Sequence, residues 1–120
     1  MYGIPEQIDL KFFDGQVLVQ ICFGLHDLRL NFDKGGAIHT EGCMQLFADG
    51  GQDVFECDST VRMATLLSCL LNQSIITTRV IDAKTLEFLF SNGDCLRFID
   101  SNERYESFRI ISSDMLIAVV

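Results

Sequence analysis

The chain has 120 residues, a hydrophobic fraction of 48% and a formal net charge of -8. That size fits one α+β domain over residues 1–120, with a core large enough to stand without a metal or disulfide framework. The acidic balance excludes nucleic acid and anionic membrane as natural partners, because phosphate repels a negative surface.

In chain order, residues 1–15 contain Glu6 and Asp9 and show neither the basic start nor the apolar stretch of a signal peptide. Val17, Val19, Ile21 and Phe23 alternate with Leu18, Gln20 and Cys22, which predicts a strand. Gly24-Leu25-His26 predicts a turn. Leu28, Leu30 and Phe32 alternate with Arg29 and Asn31 as its antiparallel partner. Gly35-Gly36 breaks that hairpin. A long strand follows from Ile38 to Phe47, with Gly42 as a bulge, and a short strand runs from Asp53 to Cys57 after the turn at Asp49-Gly50-Gly51.

Thr60 to Leu71 is the helical stretch. Asp58 or Ser59 is placed to cap it, and Met63, Leu66, Leu67, Leu70 and Leu71 recur at spacings of three and four. Strands then return at Ile75–Ile81, Leu86–Ser91, Asp94–Ile99, Tyr105–Ile111 and Met115–Val120. Asn92-Gly93 predicts a two-residue type I′ hairpin, with Phe88 opposite Arg97 and Glu87 opposite Phe98. The expected fold is a mostly antiparallel, strongly bent sheet of about seven or eight strands, covered by one amphipathic helix.

Chemistry is sparse. The five cysteines, Cys22, Cys43, Cys57, Cys69 and Cys95, form no CxxC unit and read as reduced, mostly buried thiols of a cytoplasmic protein. His39 and Glu41 share one strand face, so a carboxylate can orient the imidazole or raise its pKa, with Cys43 a further ligand type on that face. The stretch at Asp49–Asp53 lacks the spacing of a calcium loop. No cofactor or metal is expected. The apolar end, six residues from Met115 to Val120, is too short to span a bilayer, which takes about 20 residues.

Charge is more telling. Residues 1–34, 35–61 and 62–120 carry net charges of -2, -5 and -1, and the middle segment has no Lys or Arg. Asp49, Asp53, Glu56 and Asp58 therefore form one candidate partner-binding cluster, and Glu103, Tyr105 and Glu106 a second. Carboxylates around an exposed aromatic suit a basic protein partner.

The stretch Gly24-Leu25-His26-Asp27-Leu28-Arg29-Leu30, the hairpin Phe90-Ser91-Asn92-Gly93-Asp94-Cys95-Leu96 and the run Tyr105-Glu106-Ser107-Phe108 resemble small bacterial immunity proteins of contact-dependent growth inhibition and related polymorphic toxin systems. The resemblance implies a non-enzymatic cytoplasmic protein. Such a protein binds one cognate toxin domain one-to-one, often a nuclease, and blocks its active site. It carries over no binding residue. The alternatives are a small hydrolase using the clustered carboxylates or His39, and a homodimeric adaptor that buries the apolar C-terminal strand.

Overall fold

The computed structural model describes residues 3–41, 43–48, 53–57, 60–100, 107–113 and 115–120, with the backbone alone at 53–57, 60–62 and 64. Among these residues ten strands form two antiparallel five-stranded sheets. The first runs in the order β1 (Leu18–Phe23), β2 (Leu28–Phe32), β3 (Gly36–Thr40), β9 (Phe108–Ser112), β10 (Met115–Val119). The second runs β5 (Asp53–Cys57), β4 (Cys43–Ala48), β8 (Cys95–Ile99), β7 (Thr85–Phe90), β6 (Ile75–Asp82). The mostly antiparallel architecture, with a single α-helix among the described residues, matches expectation. Strand number and sheet number do not.

The difference arises at residues 40–43. The long strand expected from Ile38 to Phe47 is two strands, because the chain leaves the first sheet after Thr40 and enters the second at Cys43. Between Ile99 and Phe108 it crosses back. The late strand begins at Phe108; residues 101–106, where it was expected to start, lie outside the described residues.

One core lies between the sheets. Leu18, Leu28, Leu30, Phe32, Ile38, Phe108 and Ile110 come from the first sheet, and Met44, Leu46, Leu86, Phe88, Phe90, Leu96 and Phe98 from the second. Phenylalanine rings join the layers: Phe32 and Phe88 lie 5.9 Å apart between centroids, Phe98 and Phe108 6.0 Å. Burying such rings is the main favourable term, and the edge-on contact of Phe32 with Phe88 suits their quadrupoles.

The helix α1 (Thr60–Leu67) is shorter than expected and tightens into a 3-10 turn at Ser68–Leu70. Met63, Leu67 and Leu70 are fully buried, Leu66 is half-buried and Leu71 is exposed. Asn72 ends the turn at φ 70°, a conformation that asparagine tolerates better than most residues. That bend lets its N–H donate to Leu18 O (2.8 Å), while Leu18 N–H donates to Gln73 O (3.0 Å). Among the described residues no helix is long and apolar enough to cross a membrane.

The β7–β8 hairpin corrects the expected register. Gly93 alone takes positive φ (92°), and Phe90 N–H donates to Asp94 O at 2.9 Å, which closes a three-residue loop. Asn92 uses its side chain instead, accepting from Asp94 N–H at 3.0 Å. Pairing shifts by one residue, so Phe88 opposes Leu96 and Glu87 opposes Arg97. A one-residue shift exchanges the two faces of the hairpin. Leu86, Phe88, Phe90, Leu96 and Phe98 consequently all enter the core.

Candidate functional site

Asp49, Asp58, Glu103, Tyr105 and Glu106 lie outside the described residues. Asp53 and Glu56 belong to β5, where the backbone pairs Asp53 with Ala48 and Glu56 with Gln45. β5 is an edge of the second sheet and pairs only with β4 among the described residues. Among the described residues, the strand at the centre of the Lys- and Arg-free segment therefore has one side of backbone N–H and C=O groups without a strand partner. An extended segment of another protein can pair with such an edge.

The opposite edge of this sheet, β6, is covered by the protein's own N-terminal segment. Ile4 N–H donates to Ala83 O (2.7 Å), Gly15 N–H to Ile75 O (2.8 Å) and Ile75 N–H to Gln16 O (2.8 Å). The Thr78 hydroxyl donates to Leu10 O at 3.3 Å. Ile4, Leu10 and Phe13 of this segment join the core. Sequence periodicity missed the segment because only its long-range contacts define it.

The outer face of the second sheet holds a row of charges. Glu87 accepts from Arg79 and from Arg97, each at 2.8 Å, and the Arg97 guanidinium lies 4.6 Å from the Phe47 ring centroid. All of these groups satisfy one another, which is a structural arrangement rather than a reactive one.

His39 lines a cleft of about 180 Å³ with Asp27, Thr40, Glu41, Ser107, Phe108 and Arg109. Cross-strand register puts His39 between Arg29 of β2 and Arg109 of β9. Burial, then these two guanidinium groups, lowers its pKa from the ordinary 6.5, and Asp27 only partly opposes them. The neutral form of the imidazole is thus favoured, against the expectation that a neighbouring carboxylate raises its pKa. Its Nε2 is buried and has no hydrogen-bond partner among the described residues. The Ser107 hydroxyl donates to Asp100 Oδ1 at 2.9 Å, not to that nitrogen, so a serine–histidine relay does not form through Nε2.

Cys43, expected on the His39 face, sits in the other sheet. Among the described residues no three His, Cys, Asp or Glu side chains are grouped to hold a metal. Four of the five thiols depart from expectation too: Cys22 and Cys69 are exposed and Cys43 and Cys95 half-buried, while the Cys57 side chain lies outside the described residues. Burial, followed by Asp94, pushes the Cys69 thiol up, and burial, followed by Glu87, does so for Cys95. Raised thiol pKa values leave little thiolate, so neither group is activated as a nucleophile.

A second cleft, of about 380 Å³, lies between β1 and the helical segment and is lined by Val19, Ile21, Phe23, Thr65, Ser68 and Leu71. It is mostly apolar and brings together no set of titratable groups. No protein-family model matches the chain, and no curated protein or solved structure is significantly similar to it.

Proposed function

We propose that this protein is a cytoplasmic, non-catalytic immunity protein that binds a cognate basic toxin domain one-to-one and neutralises it by occluding the active site. A nuclease is the toxin class that fits best, since an acidic inhibitor offers the negative charge such an enzyme evolved to bind in nucleic acid. The observation that carries the reading is the coincidence of charge and topology. The segment with five acids and no base contains β5, an edge strand with an unpaired side among the described residues. Carboxylates steer a basic partner to the contact, and backbone pairing along an edge gives it a register. At His39, Nε2 has no hydrogen-bond partner among the described residues and the Ser107 hydroxyl donates to Asp100 instead, so the cleft offers the hydrolase alternative no paired nucleophile and base.

The test is co-purification with the basic C-terminal domain of a secreted protein encoded in the adjacent reading frame, followed by association kinetics. Reversal of Asp53, Glu56 and Asp58 to Lys should slow association about tenfold or more at low salt and flatten its salt dependence. Unchanged kinetics in a folded variant would remove this segment from the interface. Failure of every such domain to bind would remove the immunity reading.

A further inference from the structure

The four sheet edges are treated differently by the fold. β6 is covered by the N-terminal segment. β1 is tied at its start to residues 72–74, including an isolated bridge from Val17 to Ser74. β5 lies in the acidic segment, where two copies would meet as like charges. Among the described residues β10 has none of these three protections. Its sequence, Met115-Leu116-Ile117-Ala118-Val119, contains no polar side chain, and Met115, Leu116 and Ile117 are 69%, 58% and 42% exposed. Beyond β9 it has no strand partner among the described residues. An apolar, uncharged edge strand is a template for another strand.

We propose that β10 is a self-association edge. A second copy of the chain lays its own β10 antiparallel against it about a two-fold axis near Ile117, joining the two first sheets into one. Charge selects the occupant. Residues 107–120 carry only Arg109 and Asp114, a net charge of zero, so the contact itself adds no net charge to the repulsion between two chains of -8. A basic partner would find no carboxylate on the strand itself.

Symmetry favours the same arrangement. Pairing of β10 with β10 is isologous and closes at two copies, whereas pairing of β10 with β1 would be heterologous and would propagate. The start of β1 is already engaged by residues 72–74. The contact is also limited. The β9–β10 register shifts between Leu116 and Ala118, and a bulge at an edge shortens the regular stretch open to a partner. A five-residue strand with three exposed apolar side chains makes a small contact, below the about 1,200 Å² of standard specific interfaces, so the dimer is weak and reversible.

Sedimentation of the full chain, from about 1 μM to about 500 μM, tests the proposal. The wild type should pass reversibly from monomer to dimer. Leu116→Lys and Ile117→Lys should each raise the dissociation constant at least about tenfold while thermal unfolding confirms the fold. Reversal of Asp53 and Glu56 to Lys should leave the dimer in place, which separates this edge from the toxin-binding reading. Amide exchange supplies a second measurement: the Met115–Ile117 amides should gain protection as concentration rises. A wild type that stays monomeric, a dimer that survives both Lys substitutions, a dimer dissolved by the β5 reversal, or concentration-independent exchange would each overturn it.

Discussion

Phe13→Ala tests whether the N-terminal segment belongs to the core rather than merely lying on it. Phe13 is fully buried, with ring centroids 5.7 Å from Phe32 of the first sheet and 4.9 Å from Phe88 of the second. It therefore fills space between the layers, where the walls are held by other elements and cannot close over a void. Truncating a phenylalanine in such a setting costs about 3–5 kcal/mol, the lost transfer energy plus the cavity. For 120 residues at about 2.1 cal/mol/K each, the unfolding entropy near the midpoint is about 250 cal/mol/K. Each kcal/mol then lowers Tm by about 4 °C, so the expected drop is about 12–20 °C. Urea and thermal unfolding measure it. Amide exchange at Ile75, which donates to Gln16 O, reports whether the β6 cover loosens as well. Phe12→Ala, at a half-buried position beside it, should cost only about 1–2 kcal/mol. A loss below about 1 kcal/mol for Phe13→Ala would refute the placement of this segment in the core.

Three further outcomes follow from the ionisable groups. His39 has a folded-state pKa below 6.5, so between that lowered value and 6.5 the unfolded chain binds more protons than the folded one. Stability should fall as pH drops through this window, and melting curves between about pH 7 and about pH 5 should show a shallower fall for His39→Gln than for wild type. Glu87 is 8% exposed at its side chain, against 65% for Arg79 and 30% for Arg97. Glu87→Gln should cost about 1–2 kcal/mol in urea unfolding, less than the about 3–5 of a fully buried pair, because Arg79 can return to water. Arg79→Met should cost less than about 1 kcal/mol for the same reason.

Local alternation made much of the fold legible. Leu28, Leu30 and Phe32 are buried at every second position, and Met63, Leu67 and Leu70 point inward at helical spacing. What failed was information carried by distant residues. Asn92-Gly93 invites a two-residue turn, yet the Asn92 amide carbonyl takes the Asp94 N–H and only Gly93 adopts positive φ. The signal that could have fixed the register lay on the strands: Leu86, Phe88, Phe90, Leu96 and Phe98 are all even-numbered, and only an even pairing puts them on one face. Likewise, Glu41 is visible two residues from His39, but Arg29 and Arg109 reach it across strands that the sequence alone does not align.

The acidic segment was legible as charge but not as geometry. Topology adds that Asp53 and Glu56 stand on an edge strand, while β10 is an edge of the other sheet with the opposite chemistry. The two proposed contacts therefore respond in opposite ways to the same perturbation. Added salt screens carboxylates from a basic partner and should weaken docking at β5. It also screens the repulsion between two chains of charge -8, while leaving apolar burial along β10 intact, so self-association should hold or strengthen. If both contacts weakened together with salt, they would share the acidic surface, and the separation of the two edges would be lost.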